Sequence, residues 1–155
     1  MKIVLGPGEL AVASTIAALR QGVNREAGIV NQKAGPQDPM TTELVGLYAE
    51  LAFAKWANVY PDLTTHLRHG TADAYLGERS VDVKGTRNPI GDLYVDMRPD
   101  KAPDIYVLVH VDYATCTLLG WMTSYRAEEH MHQPGRIRQS SLFPMEELLS
   151  SLDAT

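Results

Sequence analysis

The chain has 155 residues and a single cysteine, Cys116, so no internal disulfide can form and a reducing compartment is its natural one. A formal charge of -5 and a pI near 5.5 argue against a protein that coats DNA through a broad basic surface. The opening Met1-Lys2-Ile3-Val4-Leu5 stops at Gly6-Pro7-Gly8, too short an apolar run for a signal peptide or a membrane span, which predicts a soluble, cytoplasmic protein.

From Glu9 to Ala27, Val12, Ile16, Leu19 and Val23 form the stripe of an amphipathic helix. Residues 28–39 are rich in breakers and predict a loop. Thr41-Thr42 can cap a second helix running to about Asn58, apolar on nearly every side and therefore buried, with Glu50 inside it in need of a partner. Strands are expected over 64–69, Ala72–Leu76 and Arg79–Thr86, the last two joined by Gly77-Glu78, a Gly-first hairpin turn. Leu93-Tyr94-Val95 predicts a short strand, and the β-branched run Ile105–Val111 a central strand covered on both faces. Thr117–Met122 supplies its neighbour. A short helix over Tyr125–Met131, a basic loop over Gln133–Ser141 and a last helix opened by Pro144 complete the chain. No repeat or linker divides it. The expectation is one α/β domain over 1–155, with a mixed sheet of about five strands flanked by helices. Within it, 1–40 is an N-terminal helix and loop, 41–142 the core and 143–155 the C-terminal helix.

The informative strand is Ser80-Val81-Asp82-Val83-Lys84, with valines on one face and a carboxylate and an ammonium on the other. Asp82 and Lys84 are then about 6 to 7 Å apart along the strand, close enough for both to reach one phosphate. With Glu50 and Asp73 upstream, the group suits a divalent cation, because magnesium takes oxygen ligands from a few carboxylates and a carbonyl and keeps several waters. Asp73 and Asp82 would hold it, the Val83 carbonyl would complete the protein shell, and Glu50 would bind a water or second ion. Such a cation polarises a phosphoryl oxygen and stabilises the departing one. Lys84 would orient the attacking water and offset charge on the phosphoryl group. Residues 41–100 carry nine acidic and six basic side chains, and three of those nine are the expected ligands, so bound cations would cancel much of the local field.

Competing sites are weaker. His66-x-x-His69 and His130-x-His132 lack a thiol pair or third spaced ligand for zinc. Gly6-Pro7-Gly8 lacks the lysine and hydroxyl of a phosphate loop, and Cys116 has no cue for activation.

The order Glu50, then Asp73, then Asp82-Val83-Lys84 resembles the PD-(D/E)xK, or restriction-endonuclease-like, nuclease superfamily. Gly46–Ala52 looks like its first-helix motif, Gly70–Asp73 and Val81–Thr86 like its second and third, and Asp104–Val109 like a following core strand. Asn24 through Asn58–Leu63 is similar to small bacteriophage proteins of this type. Ala72 stands where the superfamily's name has proline, a departure many members share. The resemblance implies a restriction-endonuclease-like core, Mg²⁺ as cofactor with Mn²⁺ able to substitute, and Glu50, Asp73, Asp82 and Lys84 as metal-binding and catalytic positions. DNA is the expected partner, met by Arg87, Arg136, Arg138 and Gln139, and cut nonspecifically or by structure, with a homodimer cutting both strands as one arrangement. A phage protein of this kind works in the bacterial host cytoplasm. Two other readings stand beside it: a catalytically silent module of the same fold that binds nucleic acid or inhibits a host protein, and an assembly protein whose Glu50 is paired to a buried arginine.

Overall fold

The computed structural model describes residues 1–28, 38–65 and 72–153. Lys2–Val4 forms an edge strand, β1, that the sequence reading did not anticipate, and the Gly6-Pro7 break opens helix α1 (Pro7–Glu26). Pro7 occupies the first turn, where its missing N–H is no loss, and the Glu9 carboxylate accepts the Gly6 amide at 2.6 Å. The buried stripe of α1 is not the expected one: Val12 and Leu19 are exposed, while Ala13, Ala17, Arg20 and Gln21 face inward. Small side chains let α1 lie close on its neighbour, and that close fit decides which face turns in.

That neighbour is α2 (Pro39–Ala57), which starts earlier than a Thr41-Thr42 cap predicts. Its cap is Asp38, whose carboxylate takes the Thr41 amide at 3.0 Å, with Pro39 preset for the first turn. Leu47, Ala49, Ala52 and Phe53 are buried, as an all-round apolar helix requires. Thr64 and Thr65 are not in a strand, and the rest of the strand expected over 64–69 lies outside the described residues.

Ala74–Leu76 (β2) and Arg79–Thr86 (β3) form the expected hairpin, with Gly77 at φ +60° in its turn. Leu93–Tyr94 (β4) leaves this sheet. Ile105–Asp112 (β5) runs parallel to β3 and antiparallel to Thr115–Thr123 (β6), giving the order β1-β6-β5-β3-β2. Ser124–His130 forms α3, capped by Thr123, and Glu146–Asp153 forms α4. The basic loop expected over Gln133–Ser141 is instead partly ordered. Met131–Gln133 (β7) and Arg136–Ile137 (β8) join β4 in a second, three-stranded sheet of order β4-β8-β7. The described residues are thus α/β, with a mixed five-stranded sheet, a small second sheet in place of a single one, and four helices. Among them no helix is long and apolar enough to cross a membrane.

The main sheet is covered on both faces, and β5 is buried along nearly its whole length. On one side Val81, Val83, Val107 and Val109 meet α1, α2 and α4; on the other Tyr106, Leu108 and Met122 meet Leu93, Ala127 and Ile137. Gly85 lets α2 touch the sheet, because a Cβ there would lie 2.7 Å from the Val45 carbonyl oxygen and 3.1 Å from the Ala49 Cβ. Gly85→Ala is expected to destabilise the chain by about 1–3 kcal/mol in chemical denaturation, since backbone rather than a flexible side chain must yield. Burial pushes the Cys116 thiol up to about 11, so it stays protonated across neutral pH. A thiol-specific reagent at mildly alkaline pH is expected to label Cys116 only after unfolding, and prompt labelling of the native chain would contradict its placement.

Candidate active site

Strand alternation turns Asp82, Lys84 and Thr86 away from the valine face of β3. Lys84 Nζ lies 2.8 Å from Asp82 Oδ2, and the two side chains keep 39% and 24% of their surface exposed. They are partly covered but still reach solvent. Beside them Asp73 stands where β2 ends. Its amide donates to the Val81 carbonyl at 3.0 Å, and its Oδ2 accepts the Val83 amide at 2.8 Å. Since the N–H and C=O of one strand residue point to the same edge, the Val83 carbonyl also faces the Asp73 side.

Burial alone would lower the Lys84 pKa, but the Asp82 carboxylate, its hydrogen bond and the Asp73 charge outweigh that and hold it above the ordinary lysine value. The side chain is therefore an ammonium at neutral pH and no base. Tyr106 pairs with Asp82 in the parallel register, almost fully buried, with the Ser124 side chain and the Asp96 backbone at its hydroxyl. Burial first, then the Asp82 charge, raises its pKa, so it too keeps its proton. In the β-branched run of β5 Tyr106 looks like a core residue, and only the register of β5 on β3 places it opposite Asp82.

Glu50 is placed differently. From α2 its Oε2 faces Arg20 of α1 at 3.5 Å, and Arg20 also lies 3.7 Å from Glu43. The same guanidinium donates to the Thr64 carbonyl at 3.0 Å and the Asp62 carbonyl at 2.8 Å. Arg20, which the sequence reading passed over, thus ties two helices to the segment Val59–Thr64. That segment forms one wall of an open cleft of about 750 Å³ whose other wall is Ala72–Tyr75, so Asp73 lines the cleft as well. Among the described residues no three His, Cys, Asp or Glu side chains gather as a ligand set.

Of the residues expected to meet DNA, Arg87 and Arg138 are exposed. Arg136 is engaged: it lies 3.4 Å from Asp92, stacks over Tyr94 and donates to Gln133. Gln139 donates to the Pro89 carbonyl at 3.3 Å and holds the turn after β3. His132 pairs with Asp92 at 2.9 Å, and His66 and His69 lie outside the described residues.

A set of two carboxylates and one carbonyl, all hard oxygen donors, fits magnesium, which needs few protein ligands because it keeps water. It does not fit zinc, for which thiolate or imidazole would be expected. No family model matches the chain, and no curated protein or solved structure matches it either.

Arg20→Ala takes the guanidinium away from two partly buried carboxylates and from the two carbonyls it donates to. Its expected cost is about 3–5 kcal/mol in chemical denaturation, with Arg20→Lys recovering part of it.

Proposed function

We propose that this chain is a Mg²⁺-dependent nuclease of restriction-endonuclease-like fold that hydrolyses phosphodiester bonds of DNA. The observation that carries the reading is the meeting of Asp73, Asp82 and Lys84 at the edge where β2 stops, with the Val83 carbonyl turned the same way. Asp73, Asp82 and that carbonyl would hold the cation. When bound, it supplies the Lewis acidity that polarises the phosphoryl oxygen and lowers the pKa of the attacking water.

The chain's own groups do the rest. Asp73 is aimed by the Val83 amide, which fixes one of its oxygens. Lys84 carries a permanent positive charge beside the carboxylates and can donate to both the water and a phosphoryl oxygen, which stabilises charge that grows in the transition state. Tyr106 supports Asp82 from the neighbouring strand. Arg87 and Arg138 are the exposed cations that would meet flanking phosphates. Glu50, paired with Arg20, would act on the site through the Val59–Thr64 wall rather than as a direct ligand. The net charge favours the silent binding module as the rival reading.

Purified chain is expected to cut plasmid or branched DNA in Mg²⁺ and not in EDTA. Asp82→Asn and Lys84→Ala should each lower the rate by about 10²–10³-fold while leaving a cooperative melting transition. Mg²⁺ or Mn²⁺ should raise the melting temperature of the wild type. Wild type without metal-dependent cutting, or a Lys84→Ala variant as active as wild type, would sink the hydrolytic reading; no thermal shift would favour the silent module.

A further inference from the structure

The second sheet turns one face to the core and the other to solvent. Leu93 and Ile137 are fully buried, so alternation puts Asp92 and Tyr94 of one strand, and Arg136 and Arg138 of the next, on the outer face. Arg136 lies opposite Tyr94 in the β4–β8 register, and its guanidinium stacks over the Tyr94 ring, 4.9 Å from the centroid. The guanidinium edges are occupied, by Asp92 at 3.4 Å and by the Gln133 side chain, which accepts at 3.2 Å. Its plane is thus fixed before any ligand arrives, while 42% of Tyr94 and 39% of the Arg136 side chain remain exposed. Met97, itself exposed, lies against Gly135, the residue before Arg136. Two fixed planes with surface left in water form a platform that a third plane can extend.

Charge and position narrow the ligand. The chain as a whole carries -5, yet between Asp92 and Val95 and between Met131 and Gln139 the only carboxylate is Asp92, which Arg136 and His132 already hold. Arg138 is exposed on the same face. Beside it, Gln139 donates to the Pro89 carbonyl and so ties the turn that follows the exposed Arg87 to this sheet. The face is therefore locally cationic and admits an anion despite the negative whole. It is also continuous with the candidate site. Gly91, next to Asp92, lies against Thr86, which shares a face of β3 with Asp82 and Lys84. A strand with one phosphodiester at Lys84 would run past Thr86 and Arg87 onto Tyr94 and Arg136. The planar group such a strand carries is a nucleobase, and in a duplex both faces of a base are covered by its neighbours.

We propose that the outer face of the second sheet holds an unpaired stretch of nucleic acid flanking the bond to be cut, with one base stacked on the Tyr94–Arg136 pair and its phosphates met by Arg138 and Arg87. This rests on the nuclease reading above and specifies the strand that the site receives. Stacking is indifferent to the sugar, so a DNA and an RNA strand share the required chemistry.

Fluorescence anisotropy in Ca²⁺, with a short single-stranded DNA, the same sequence as RNA and the matching DNA duplex, tests it. A single strand is expected to bind more tightly than the duplex, and either preference between DNA and RNA supports the face while naming its source. Tyr94→Ala should weaken single-strand binding on the order of 10-fold, and Tyr94→Phe, which keeps the ring, should not. Arg138→Ala should weaken binding to single strand and duplex alike, and lower the slope of log affinity against log salt by about 0.7 on the single strand. In cleavage of the single strand, Tyr94→Ala should raise KM far more than it lowers kcat. Equal or tighter duplex binding, no binding to any of the three, or single-strand affinity unchanged in Tyr94→Ala would overturn the proposal, even where Mg²⁺-dependent plasmid cutting stands. So would a Tyr94→Ala variant whose only change is lost self-association in sedimentation, since the face would then be a contact between copies. Tyr94-dependent single-strand binding without metal-dependent cutting would support the face and overturn the hydrolytic reading instead.

Discussion

At Gly85 the sheet offers α2 no side chain, and the helix backbone comes down to within contact of the strand. A β-carbon at that point would collide with a carbonyl oxygen, which cannot rotate away as a side chain can. This close approach presses Val81 and Val83 under Val45 and Ala49 and fixes which face of β3 is core. Because strand side chains alternate, fixing one face fixes the other, and Asp82 and Lys84 are turned out on the far side of the sheet. The same helix carries Glu43 and Glu50 toward Arg20, and through Arg20 it positions the wall of the cleft. One helix, seated on one glycine, therefore sets both the charged strand face and the groove next to it.

The charged groups fall into two kinds. Arg20 is buried against the partly buried Glu43 and Glu50 and donates to two carbonyls, an arrangement that breaks expensively and holds elements together. The Asp82–Lys84 pair is partly exposed and two residues apart on one strand, so it ties no distant parts together and its contribution to stability is small. Stability therefore accounts for the first group and not for the second. The candidate site therefore falls on Asp73, Asp82 and Lys84, and only indirectly on Glu50.

What could be read from the sequence follows the range of the interactions involved. β3 and β5 were legible because alternation and a β-branched run are local signals, and the Gly77-Glu78 turn was legible from its glycine. The buried face of α1 was not, because Ala13 and Ala17 carry less hydrophobicity than Val12 and Leu19, and only the presence of α2 rewards small side chains. The cap at Asp38 was written in Asp38-Pro39 but hidden by the breaker-rich stretch before it. The short strand at Leu93-Tyr94 was legible, whereas β7 and β8, of three and two residues, are too short for any period and form by pairing with each other and with β4. Glu50's need for a partner was plain from its neighbours; that Arg20, thirty positions earlier, would meet it was not.

The length of β2 decides how much of the β3 edge it covers. Its ladder with β3 ends at Ala74 opposite Val81, and the next residue, Asp73, meets the Val83 peptide through its side chain rather than through a further pair. Had β2 continued in register, its backbone would have covered the Val83 amide and carbonyl and taken the edge out of use. Had it stopped sooner, the Val81 carbonyl would have lost the Asp73 amide that now holds it. The crossover from β3 to the parallel β5 meanwhile has to span a face, and with the valine face filled by α2 it takes the other one. It brings Leu93 and the Asp96 backbone over Tyr106. That roof buries the tyrosine beside Asp82 but leaves Asp82 and Lys84 at its rim, next to the one stretch of β3 edge that β2 does not cover. Among the described residues, Asp82 and Lys84 lie where these two coverings of the same strand both end.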